Sequence, residues 1–208
     1  MRYLLFLLFL CLSTALSAQT KKELLIQEIA HYQDSLENIM RNPDESPLSA
    51  KDFANFDSLD FYPINLDYYI IAKFVRTPKQ KPFEMATTRA RVKQPVYEKY
   101  GEIYFELEGQ EIMLPVYQSH DLREMEEWKN YLFLPFRDPT NKTETYGGGR
   151  YLELWNTGTD SIVVDFNRAY NPYCVYNTKY SCPIVPKENN IPLPVFAGEK
   201  RYKKPMGK

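Results

Sequence analysis

The 208 residues carry 26 basic and 27 acidic side chains, a formal charge of −1, so there is no cationic surplus with which to hold nucleic acid. Tyr (17), Phe (12) and Pro (15) are abundant and Gly is scarce (8), a composition that suits a β-rich exported domain with long ordered loops. Once a leader is removed, about 190 residues remain, enough for one domain with a real core; no repeat, low-complexity tract or second domain is visible.

Residues 1–18 read as a secretory signal peptide. Met1-Arg2 is a short positive start, Tyr3 to Leu12 is an apolar run, and Ser13 to Ala18 supplies small residues before Gln19. The run is too short to span a bilayer, so no membrane span is expected after cleavage. Cys11 lies inside the run and has no lipoprotein-like mature end after it. Residues 19–45 predict a helix. Thr20 and Glu23 form a capping-box pattern, and Leu25, Ile29, Tyr32, Leu36 and Ile39 make one apolar stripe that stops at Asn42-Pro43. The stripe is expected to dock on the domain's own sheet, with His31 off it and exposed.

A single β-rich domain is expected over residues 46–199. Ser49 is placed to cap a short helical turn anchored by Phe53 and Phe56. "DYYIIAKFV" reads as a strand buried on both faces, "FEMATTRARV" continues the strand pattern, and "EIYFELEGQEIMLPVY" reads as a hairpin about Gly109. "DLREMEEWK" predicts a short helix; "YLFLPF", "RYLELW" and "SIVVDF" predict further strands, with 156–160 as a turn. After Phe166 the periodicity breaks until "IPLPVF". A loop of that length is functional or pinned more often than idle. The fold class expected is mainly β, an antiparallel β-sandwich or open β-barrel with an N-terminal amphipathic helix. Residues 200–208, rich in Lys and Arg, read as a solvated, disordered tail.

Candidate chemistry is sparse. "YGGGR" at 146–150 lacks the spacing of a nucleotide-binding loop and precedes a strand, so it reads as a tight turn, and no cofactor is expected. The two mature cysteines, Cys174 and Cys182, stand too far apart for the usual structural-zinc pair, and no metal is expected. A disulfide between them suits an oxidising compartment and would be worth roughly 2.5 kcal/mol on the chain-entropy view; free thiols are the alternative. His120 offers the one histidine for nucleophilic catalysis, although a surface turn is its plainer role. Asp138 and Asp165 could form a hydrolytic carboxylate pair only if the fold brings them together. The remaining polar set follows apolar strands closely: Arg137, Asp138, Tyr146, Arg150, Asp165, Asn167, Arg168, Asn171 and Tyr176. Charges so placed must pair with one another or meet a ligand.

Those residues carry a resemblance. "FRDPTNKTETYGGGRYLEL" followed by "VVDFNRAYNPYCVYNTKYSCPIVPKENNIPLPVFAGEK" resembles the signature of the DUF1684 family, with Val175 and Val185 standing where Ala and Pro are usual. "SPLSAKDFANFDSLDFYPI" resembles the family's upstream segment. The resemblance implies no activity, because the family's function is not established. It does imply a secreted, Bacteroidetes-type member at a periplasmic or outer-surface location.

Two function classes follow as expectations. In the first, a binding or scaffold domain holds a small anionic or sugar-like ligand in a strand-end pocket. Arg137, Arg150 and Arg168 would meet the anion, Tyr146 and Tyr176 would stack, and Asp138, Asp165 and Asn167 would hold the arginines. Arg150→Ala is then expected to abolish ligand-induced stabilisation and leave the fold intact. In the second, the same region serves a periplasmic hydrolase or a thiol- or metal-dependent enzyme.

Overall fold

The computed structural model describes the backbone of residues 2–203 and the side chains from residue 19 onward. The expected signal peptide at 1–18 therefore lies outside the residues whose side chains are described. A 40-residue helix α1 (Arg2–Arg41) opens the chain, and a short helix α2 (Ala50–Ala54) follows with Ser49 capping it through the amide of Asp52. Seven strands come next: β1 (Tyr69–Arg76), β2 (Phe83–Glu84), β3 (Val96–Leu107), β4 (Gln110–Ser119), β5 (Tyr131–Phe136), β6 (Arg150–Trp155) and β7 (Ser161–Asp165).

All strand pairings are antiparallel, in the order β6-β5-β4-β3-β1-β7, with β2 paired to β3. The sheet curls into a half-barrel, and its end strands β6 and β7 approach each other without pairing. The mainly β, antiparallel expectation thus holds, with one N-terminal helix beside the sheet. Among the described residues no helix is long and apolar enough to cross a membrane.

Alternation along the strands builds two cores. Side chains of one parity fill the concave side: Ala72 and Phe74, Ile103 and Phe105, Leu114 and Val116, Leu132 and Leu134, Leu152 and Leu154, Ile162 and Val164. The opposite parity of β4–β6 places Tyr117, Tyr131, Phe133 and Tyr151 on the outer face. Tyr97 joins them because the register shift between Lys99 and Gly101 turns β3 over, and Met85, Cys182 and Val185 cover the group. This is why every residue of β5 is buried. The pairs of this second core are mostly edge-to-face or tilted, Phe133 with Tyr151 at 4.8 Å between centroids, and each adds roughly 0.5–1.5 kcal/mol beyond its area.

Several expectations are corrected. β1 is buried on one face only: Ala72 and Phe74 point inward, whereas Ile71 is 72% exposed, because no layer covers the outer face of β1 and β7. Within "FEMATTRARV" only Phe83–Glu84 is strand. "DLREMEEWK" forms two 3₁₀ turns, Leu122–Glu124 and Glu126–Trp128, not an α-helix. Thr20 lies inside α1, since no Gly or Pro interrupts the residues before it. The basic end is docked as far as Lys203: Lys200 and Lys203 reach Asp60 at 3.4 and 3.5 Å, and Tyr202 packs edge-on against Tyr176. The rest of the tail lies beyond the described residues. The hairpin at Glu108–Gly109 and the helix stop at Arg41 stand as expected.

Candidate functional site

Four of the nine polar candidates, Asp138, Arg150, Asn171 and Tyr176, tie the C-terminal strap, residues 195–199, to the rest of the fold. Arg150, 0% exposed at the start of β6, sends one nitrogen to Asp138 Oδ2 at 3.1 Å and to the carbonyl of Val195 at 2.9 Å. Its other terminal nitrogen donates to the carbonyls of Ala197 and Glu199. Asp138 Oδ1 accepts from the amides of Thr140 and Val195. Burial lowers the guanidinium's pKa, and Asp138 opposes that shift. A second knot closes on Glu199, 1% exposed, which accepts from the Tyr176 hydroxyl and, at 2.9 Å, from the amide of Asn171. Burial pushes the Glu199 carboxyl above the usual range.

Two glycines permit close backbone approaches here, Gly149 beside β5 and Gly198 within the strap. Gly149 (φ +96°) would bring a Cβ within 2.5 Å of the Phe136 carbonyl, and Gly198 (φ +76°) within 2.7 Å of the Ala169 and Phe166 carbonyls. The reading of "YGGGR" as a tight turn that carries Arg150 toward backbone agrees with this.

Asp165 caps the 3₁₀ turn Phe166–Arg168 through the amide of Asn167. The Asn167 side chain exchanges hydrogen bonds with the backbone of Asn65. Arg168 is exposed, 3.7 Å from Asp165 and 5.0 Å over the ring of Tyr32. Arg137 donates to the Gly148 carbonyl at 3.3 Å. The three arginines thus have separate partners, and the expectation that they converge on an anion is corrected: the strap's carbonyls, in want of donors, take up the forks of Arg150. Asp138 and Asp165 serve different networks and do not form a carboxylate pair.

Cys174 and Cys182 are free thiols and not at disulfide distance, which corrects the expected bridge. The Cys182 sulfur instead accepts the amide of Cys174 at 3.1 Å, so the segment is held by hydrogen bonds. Bonding to the Cys182 thiol, with help from Thr88 and Tyr146, lowers the Cys174 thiol to about 7 despite burial, and the Cys182 thiol is raised by the same contact. His120 contacts Glu98 at 3.2 Å and Arg123 at 3.4 Å, a surface cluster without either cysteine.

What the polar candidates do not form is found on the outer face of β6. There a cavity of about 450 Å³ lies under α1 and the loop 170–183. Tyr32, Ser35, Leu36 and Ile39 come from one side of α1; Tyr151 and Glu153 come from β6; Tyr170, Tyr173, Tyr180 and Cys182 come from the loop. The free edge of β6 is closed by paired hydrogen bonds between Tyr151 and Tyr170, which set both rings on the cavity wall. α1 is held over it by Gln33, which donates to the Asn167 carbonyl at 3.0 Å, and by Glu37, which accepts the amide of Leu59.

Glu153 is reached by solvent, yet desolvation raises its pKa, with the Tyr170 hydroxyl at 3.2 Å as the opposing contact. Both facts describe a carboxyl facing a concavity: water enters through the mouth and protein surrounds the rest. Tyr32 and Tyr170 behave alike, only partly covered but raised by desolvation. No Lys, Arg or His lines this cavity. Glu153, Tyr173 and Tyr180 were absent from the polar set expected to form a site. The available signal was strand alternation: in "RYLELW", Leu152 and Leu154 take the core side, so Tyr151 and Glu153 must share the other.

A curled antiparallel sheet with its free edge closed by a tyrosine-rich loop under a helix defines a class of small β half-barrel domain. The chain belongs to the family described as protein of unknown function (DUF1684), whose profile matches residues 54–200. No curated protein matches it. An uncharacterised protein of Haloarcula marismortui, solved by solution NMR, is similar at 27% identity and a TM-score of 0.67, over 87% of this chain and 96% of that one.

Proposed function

We propose that the protein is a binding domain that takes a small, sugar-like or otherwise donor-bearing ligand in the cavity between α1 and β6. The observation that carries this is the lining: five tyrosine rings around a single carboxylate in a space of about 450 Å³, within the range of small-molecule sites. Rings offer flat apolar faces, and Glu153 and the Tyr170 hydroxyl offer directional polar contacts. An anionic ligand is disfavoured here, since it would meet Glu153 with no cationic side chain in the lining. Export to the periplasm or outer surface belongs to the same reading, supported by the leader-like residues 1–18; amino-terminal sequencing of the protein recovered from cells should begin near Gln19.

The test is ligand-observed NMR with a panel of monosaccharides and small alkylamines against wild type and Ser181→Trp, which fills the cavity. Signals present with wild type and lost with the variant support the domain's role; a panel silent with wild type, or signals equal in the two, count against it. The lowered thiol of Cys174 favours a second reading, thiol chemistry beside this cavity. It predicts faster alkylation of Cys174 than of Cys182 at neutral pH.

A further inference from the structure

We propose that the cavity's ligand carries an organic cation, an alkylated ammonium group seated on the tyrosine rings with Glu153 as its counter-ion. The inference rests on the binding reading above and names the chemistry of the ligand.

Three observations converge. Among the described residues Glu153 makes no ion pair, and its one hydrogen bond comes from the Tyr170 hydroxyl to Oε1, so the carboxylate's charge is uncompensated within the protein. A partly desolvated carboxylate is costly until a cation joins it. The lining supplies five phenol rings and no basic side chain, so nothing built into the wall plays that part. The negative face of a tyrosine ring attracts a cation within about 6 Å, and more strongly where water is thinned.

The same rings already show this preference at the rim. Arg168 stands 5.0 Å over Tyr32, and Lys179 Nζ is 4.9 Å from the Tyr180 centroid. Tyr151, Tyr170 and Tyr173 carry no such partner among the described residues, and they share the cavity wall with Glu153. The Ser35 and Ser181 hydroxyls donate to the Tyr32 carbonyl and to Thr87, so each presents an acceptor to a donor on the ligand. A strongly hydrated small ion gains little from such a wall, because its water is not replaced by oxygens in number. An alkylated ammonium gives up little hydration and gains both ring contact and the carboxylate.

The experiment titrates the mature chain with choline and, separately, with 3,3-dimethylbutan-1-ol, its uncharged isostere, following the tyrosine ring resonances by NMR in wild type and Glu153→Gln. Choline should shift the rings saturably and bind at least tenfold more tightly than the isostere. Glu153→Gln should remove about tenfold of choline affinity and leave the isostere's unchanged, with an unaltered melting temperature to show that the fold persists. Equal binding of the two probes overturns the cation assignment while leaving the cavity a binding site. Absence of shifts with both probes overturns it as well; monosaccharide binding that Ser181→Trp abolishes would then keep the broader reading, and its absence would sink both.

Discussion

Arg150 has no route to solvent, and its two terminal nitrogens are spent on Asp138 and three strap carbonyls, so substitution there should act on folding. Arg150→Ala leaves a buried carboxylate and those three carbonyls short of donors, and should cost about 3–5 kcal/mol in chemical denaturation. The expectation that this variant keeps its fold is thereby reversed. Arg150→Lys should recover little, because a single ammonium cannot span the same fork. The thiols give a prediction of a different kind. Cys174, lowered to about 7 by its contacts with Cys182, Thr88 and Tyr146, should react with iodoacetamide at pH 7 well ahead of Cys182. Peptide mass spectrometry after timed quenching reads both rates; equal labelling would mean that the thiol contact does not activate Cys174.

At the scale of elements, the strap and β6 depend on two backbone approaches that leave no room for a side chain. Gly198→Ala meets two carbonyls and a positive φ at once, and should destabilise by well over 1 kcal/mol; Gly149→Ala should do the same. Gly158, also at positive φ but with nothing within reach of an added Cβ, should suffer far less, and comparing the midpoints of the three variants separates crowding from dihedral strain. Most strands were legible in the sequence because alternation between apolar and polar positions is a local property. The hairpin at Glu108–Gly109 was legible for the same reason. The one-sided burial of β1 was not: whether a strand's second face is covered depends on which layer arrives there, and "DYYIIAKFV" is apolar at Ile71 and Val75 without a layer to meet them. The candidate site failed likewise. Arg150, Asp138, Asn171 and Tyr176 were rightly marked as unable to stay unpaired, but most of their partners are strap groups 23 to 57 positions away, largely main-chain, and Glu199 was not marked at all. The cavity draws on α1, β6 and a loop that periodicity leaves blank.

The molecule as a whole should respond to pH through carboxyls whose folded pKa is raised: Glu199, Asp165 and Glu153, each by burial first. A raised folded pKa favours the protonated form in the native state. Its contribution to stability is complete below the unfolded values, near 4, and is lost as pH rises through the raised folded values. Glu102, which hydrogen bonds to Lys99 and Tyr104 pull down, acts in the opposite sense, one group against three. Unfolding free energy should therefore decline as pH climbs above about 4, and Glu199→Gln should flatten that decline while lowering stability overall. A profile that rises monotonically through this range would assign these carboxyls ordinary titration.

Arg150 and Glu199 also bear on how the chain reaches its final form. The last residues of the described fold fill the centre of the molecule: Val195 and Ala197 sit in the main core, and Glu199 closes the knot beneath them. Removing them would take Val195 and Ala197 out of the main core and strip Asp138, Arg150, Asn171 and Tyr176 of their strap partners. The strap is thus part of the folding unit rather than an appendage to it, and truncation after Pro194 should yield a product that never acquires cooperative unfolding.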